Sequence, residues 1–224
     1  MRRVVAVACA VLLAACTPRA PEQQPLPGAP PDFPAPYYRQ ALAEGKPVFE
    51  VDTAQSLVTI VVRRDGRLAR LGHDHVVAAR DVTGYVAPAE GRADFYLRLD
   101  RLTVDEPELR ARAGLDTQPS AADIEGTRRN MLETVLEADK HPFVLLRVRS
   151  IAAQRLSASV TVHGVTRELE IPAKIETGGD QLAASGSFEL RQSDFGIVPL
   201  AVLGGAIQVR DRMELHFTIR ARRA

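Results

Sequence analysis

Residues 207–220 read IQVRDRMELHFTIR. Ile207, Val209, Met213, Leu215, Phe217 and Ile219 share one parity, with Asp211 the exception among them. Gln208, Arg210, Arg212, Glu214, His216, Thr218 and Arg220 hold the other. Side chains of a β-strand point alternately to its two faces, so this stretch is a strand buried on one side and wet on the other. A strand of a parallel α/β sheet, covered on both faces, would read as a continuous apolar run instead.

The same period recurs upstream. Ala93, Phe95, Leu97 and Leu99 alternate with Asp94, Tyr96, Arg98 and Asp100; Leu156, Ala158, Val160 and Val162 alternate with Ser157, Ser159 and Thr161. Leu169, Ile171, Ala173 and Ile175 alternate with Glu168, Glu170, Lys174 and Glu176, and residues 56–63 are rich in Val, Ile and Thr. Short connections such as His163-Gly164 and Gly178-Gly179-Asp180 suit antiparallel hairpins. The expected architecture is all-β: an eight-stranded antiparallel barrel, closed so as to remove its edges, with one or two short helices. Residues 37–45 suit a short helix ending at Gly45. Ser120 and Asp123 form a capping-box pair ahead of Ile124, Met131, Leu132, Val135 and Leu136, which share a helical face. That helix should cover one end of the barrel and stop near Asp139, before His141-Pro142; residues 103–119 read as a loop.

The start of the chain reads as an address. Arg2 and Arg3 precede an apolar run over residues 4–15, too short for a bilayer span and of the right length for an export signal. It ends in Leu13-Ala14-Ala15-Cys16, which resembles the bacterial lipobox, where the signal is cut before a cysteine that is then acylated. The expected divisions are a signal over 1–15, a lipidated Cys16 with a Pro-rich tether over 16–36, and one domain over 37–224. Residues 17–36 hold eight of the fifteen prolines, a composition that favours an extended tether. Thr17, rather than Asp, follows the cysteine, so by analogy with enteric bacteria the expected location is the periplasmic face of the outer membrane.

Composition excludes several classes. There are 29 Lys and Arg against 28 Asp and Glu, no Trp, and 5% aromatic residues, so nothing draws or stacks a nucleic acid. The two cysteines, Cys9 and Cys16, are lost with the signal and consumed by acylation, leaving no thiol nucleophile or disulfide framework. No G-x-S-x-G, P-loop, G-x-G-x-x-G or H-E-x-x-H motif is present. We expect no catalysis and no cofactor.

Three stretches carry a family resemblance. Thr161-Val162-His163-Gly164-Val165-Thr166 resembles the HGVT hairpin of the YceI-like family of bacterial periplasmic proteins. Ser193-Asp194-Phe195-Gly196-Ile197 resembles its DFG segment, and Leu132 through His141-Pro142 its helix ending before a strand. Their order and spacing cover roughly Phe49 to Ile219. The resemblance implies a lipocalin-like barrel that binds long isoprenoid or other amphiphilic lipids in an apolar cavity. The chain departs from the family at Gln192, where many members carry Arg, with Arg191 one place earlier. It departs again at residues 124–132, which lack an Asp-rich stretch, and at His73-Asp74-His75, where many members have a single His.

The expected function is therefore non-catalytic binding or carriage of a long apolar lipid in the cell envelope. His73, His75, Arg191 and Phe195 are the candidate ligand-binding residues, with a membrane anchor through Cys16; a homodimer is left open. Small inward residues (Ala93, Ala158, Ala173, Ala184 and Gly186) favour a hollow interior. Two other readings stand beside this one. The first is a filled, ligand-free scaffold. The second is a metal site at His73 and His75, which needs a third ligand, with His141, His163 and His216 as candidates. Hydrogen bonding at the barrel mouth is the plainer role for the two histidines, as a solvated helix face is for Arg128 and Arg129. A buried Arg191–Asp194 pair would fix the loop that enters Phe195.

Overall fold

The structure is a computed structural model that describes residues 28–152 and 154–224. The export signal, Cys16 and most of the Pro-rich stretch lie outside the described residues. Among the described residues no helix is long and apolar enough to cross a membrane. Helix α1 spans Ala35–Ala43, followed by strands β1 (Phe49–Val51), β2 (Leu57–Asp65), β3 (His75–Ala79), β4 (Val82–Ala87), β5 (Arg92–Arg98) and β6 (Thr103–Val104). Helices α2 (Pro107–Arg112) and α3 (Ala121–Arg129) come next; α3 runs on through a π-helical turn, Asn130–Val135. The rest is β7 (Phe143–Ala152), β8 (Arg155–Val162), β9 (Val165–Pro172), β10 (Lys174–Gly178), β11 (Gln181–Arg191), β12 (Ala201–Val202) and β13 (Ile207–Arg223).

Every pairing is antiparallel, in the order β6-β3-β2-β13-β1-β4-β5-β7-β8-β9, with β11 on the second edge of β13 and β10 on β11. This corrects the expected closed barrel of eight strands. The sheet has thirteen strands, and the ends of the path, β6 and β9, do not pair with each other. The physical cause is interruption. Residues 53–55 break β1 from β2, residues 99–101 break β5 from β6, and each break is a 3-10 turn. Pro172 has no amide hydrogen, so β9, paired with β8, stops there, and β10 pairs instead with β11. Gly186 of β11 crosses at this break. A Cβ on it would lie 2.2 Å from the Pro172 carbonyl oxygen and 2.9 Å from the Phe217 ring.

The main core gathers Phe49, Val86, Ala93, Val148, Leu156, Ala158, Ile171, Ala173, Leu182 and Ala221. Its small residues serve packing: Ala93, Ala158 and Ala173 are buried, and Gly186 permits strand contact. Ala184, the remaining small residue of that set, is half-buried. On β13 the pairing with β2 slips between Val209 and Met213. That bulge accounts for Asp211, which accepts from the Ser193 amide at 2.8 Å and its hydroxyl at 2.7 Å.

The packed chain starts earlier than residue 37. Phe33 lies edge-on to Tyr96, with ring centroids 4.8 Å apart. Tyr38 of α1 is buried and donates its hydroxyl to Asp94 at 2.7 Å, where Arg92 Nε also donates at 2.7 Å. Burial pushes the Tyr38 pKa well above its ordinary value, and the Asp94 bond adds to it. The region expected as a loop over 103–119 contains β6 and α2, and α2 packs Leu109 on the outer face of β2 and β3. The capping box forms as expected: Ser120 Oγ accepts from the Asp123 amide, and Asp123 accepts from the Ser120 amide.

Candidate functional site

Strand registers place inward side chains in rows. His75, Val62, Met213 and Leu190 form one row across β3, β2, β13 and β11; Val77, Ile60, Leu215 and Phe188 form the next; Ala79, Val58, Phe217 and Gly186 form the third. Facing them, Leu97 pairs with Val144, and Phe95 with Leu146. Helix α3 and its π-helical turn set Ile124, Met131 and Leu132 against a buried cluster of Val77, Ala79, Leu99, Leu102, Val104 and Ala138, which Val58, Ile60, Val62, Leu97 and Val144 also meet. None of these lid side chains is fully buried.

Burial along β2 is inverted. Val61 points outward yet is 3% exposed, sealed by Val76, Ala78 and Leu109. Its neighbours Val58, Ile60 and Val62 point inward and are only half-buried. Along β13 the inward residues grade from half-buried Met213, Leu215 and Phe217 to buried Ile219 and Ala221. The inner surface of β2 and of the near half of β13 is thus incompletely covered beneath the lid, while Val77 and Ala79 of β3 in the same rows are buried. Two polar depressions lie at the buried end of β13 instead, lined by Asp52, Gln55, Gln181 and Arg222 among others.

His75 is the polar member of the rim row. Its Nδ1 lies 2.6 Å from Asp105 Oδ2. Asp105 also accepts from the Val76 amide at 3.0 Å and from Arg110 Nη1 at 2.6 Å, and Arg110 Nη1 reaches the Asp74 carbonyl at 2.8 Å. Burial opposes the charge on Asp105, but His75, the Val76 amide and Arg110 together outweigh it and hold its pKa below the usual carboxylate range. An ionised Asp105 requires a proton on His75 Nδ1. In the neutral ring Nε2 is then an acceptor, and it stands 3.4 Å from Thr127 Oγ1 on the lid. His73 lies beside it, ring centroids 6.2 Å apart, with its Nε2 4.0 Å from Asp123 and its buried Nδ1 unpartnered.

The other candidates fall elsewhere. Arg191 is exposed on the outer face of β11, in phase with Ser187 and Glu189, which removes the geometric ground for a headgroup contact inside. Asp194 is exposed too, so no buried Arg191–Asp194 pair forms. The inward position belongs to Gln192, which donates to the Arg210 carbonyl at 2.8 Å. Phe195 is 1% exposed and works as a core wedge with Ile197. Arg128 is no solvated side chain: its Nη2 donates to the Asp100 carbonyl at 2.8 Å and ties the lid to the sheet. Among the described residues no third ligand joins His73 and His75; the group that does form is Glu137, His141 and His163. His216 is exposed and takes no part. Sequence reasoning missed Asp105 and Arg110, because they sat in the presumed loop.

Comparison with known families matches residues 49–221 to the YceI-like domain. The chain belongs to the YceI-like family. No curated protein matches it in sequence. Among solved structures, a polyisoprenoid binding domain from Saccharophagus degradans implicated in plant cell wall breakdown superposes with a TM-score of 0.57 at 10% identity. The match covers 79% of this chain and 98% of that one. BcnA from Burkholderia cenocepacia gives 0.54 at 13% identity, covering 76% and 98%. At these identities the likeness is one of fold.

Proposed function

We propose that this YceI-like protein binds a long apolar lipid of isoprenoid type, without catalysis, between the inner face of the sheet and the lid. The inverted burial on β2 carries the reading. Apolar surface left in water costs about 25 cal/mol per Å², so a half-covered inner face beside a sealed outer one suits an apolar occupant. The name of the Saccharophagus degradans neighbour supports the ligand class. The tail lies along Val58, Ile60, Leu215 and Phe217, and the polar head meets the rim at His75 and His73. Acylation of Cys16 anchors the protein at the periplasmic face of the outer membrane, with the Pro-rich stretch as spacer.

The test is titration of the delipidated Cys16→Ser chain with a fluorescent polyprenyl phosphate. One saturable site per chain, lost on Ile60→Asp, is expected. Binding that is absent, or indifferent to Ile60→Asp, overturns the proposal.

A further inference from the structure

A second cluster lies outside this apolar face, where the lid returns to the sheet. Glu137 follows the lid, His141 precedes β7, and His163 sits in the β8–β9 hairpin. One ligating atom of each lies within 4.8 Å of the others. Glu137 Oε2 and His163 Nε2 are already 3.0 Å apart, and the His141 and His163 rings are 4.8 Å apart, edge to face. Zinc bonds nitrogen and oxygen at about 2.0–2.2 Å, so neighbouring ligands of a tetrahedral ion stand about 3.3 Å apart. Two of the three atoms have nearly that spacing, and rotation about side-chain bonds brings in the third.

The backbone builds this group deliberately. The His141 amide bonds the Glu137 carbonyl at 3.0 Å, so a single turn presents both side chains. Glu137 has φ 44° and His163 φ 51°, left-handed values uncommon outside glycine. At His163 the hairpin demands such a value, with Gly164 at φ 73°; Asn or Gly would meet it at lower cost. Gly164 leaves space for the other imidazole, since a Cβ there would lie 2.8 Å from His141 Cε1. His163 is 16% exposed on its side chain and Glu137 35%, so the group is sheltered but open to an ion. Lys140 pairs with the second Glu137 oxygen, but it is 62% exposed and free to swing away.

We propose that Glu137, His141 and His163 form a binding site for one divalent transition-metal ion of the zinc class, with a fourth position open to water. Two imidazoles and one carboxylate are a donor set that zinc accepts. The ion ties the end of the lid to the β8–β9 hairpin. The site is distinct from the His73 and His75 pair and does not depend on the lipid reading.

The test is isothermal titration of the tag-free full-length chain with Zn²⁺ alone, beside His163→Asn, His141→Gln and Glu137→Gln. His163→Asn keeps a residue suited to the left-handed turn while removing the imidazole. The expected result is one Zn²⁺ per chain, weakened at least about tenfold in each variant, the low end of what losing even an outer partner costs. Slower hydrogen exchange over residues 130–141 on zinc addition is expected in the wild type alone. Metal-free melting of His163→Asn should match the wild type, which separates lost ligation from lost folding. Absence of a stoichiometric site, or zinc binding undiminished in His163→Asn and His141→Gln, overturns the proposal. Loss of lipid binding with zinc binding intact bears only on the lipid reading.

Discussion

His75 depends on Asp105, and Asp105 depends on Arg110. Removing the carboxylate leaves a buried guanidinium without its counter-ion, a loss that typically costs about 3–5 kcal/mol. Asp105→Asn should therefore destabilise the protein by about 3 kcal/mol at neutral pH. The sign of its pH dependence follows from its lowered pKa. The stabilisation is fully present above the unfolded carboxylate pKa of about 3.9 and is lost as pH falls through the lower folded value. Urea unfolding at several pH values checks this. The wild type should lose stability steeply below about pH 4, and Asp105→Asn should lose less over the same interval. Equal slopes would show that this carboxylate is not the titrating support. The histidine pair was legible in the sequence because the spacing of His73 and His75 is local. Its support was not, because α2 is too short to show a period and Asp105 adopts φ 57°, which nothing beside it announces.

Strand β2 shows why alternation alone misleads. The period separates Ile60 from Val61, but it does not say which face is sealed, since that depends on α2 arriving from elsewhere in the chain. Val61→Asp buries an unpaired charge under Leu109 and should cost about 3 kcal/mol or more. Ile60→Asp faces the incompletely covered interior and should cost well under half of that, while abolishing lipid binding. Chemical denaturation of the two variants side by side decides it; equal losses would mean that the inner face is an ordinary core. At β11, Gly186→Ala should cost about 1–3 kcal/mol, because the added methyl meets the Pro172 carbonyl, a backbone atom that cannot turn aside. A melting temperature unchanged from wild type would refute that account of the crossing. Pro172 is visible in the sequence; that β11 crosses at Pro172 is a fact of three dimensions.

For the whole molecule, period-two patterning revealed an antiparallel β domain, and the motifs at His163-Gly164 and Asp194-Phe195-Gly196 placed it in its family. Strand number and closure were less legible. A 3-10 turn of three residues or one proline divides a strand without disturbing its alternation, which accounts for three of the five strands beyond the expected eight; the break between β3 and β4 and the two-residue β12 supply the others. Packing ahead of residue 37 was hidden for a similar reason: Phe33 lies among prolines, and its contacts with Tyr96 and Tyr85 exist only in three dimensions. The central claim is that the space between sheet and lid holds an apolar tail. Native mass spectrometry of the Cys16→Ser chain purified from bacterial envelopes, followed by organic extraction, tests it most directly. The account predicts one long-chain lipid per protein, released on unfolding and missing from Ile60→Asp. A bare protein mass, unchanged after incubation with polyprenyl lipids, would contradict it.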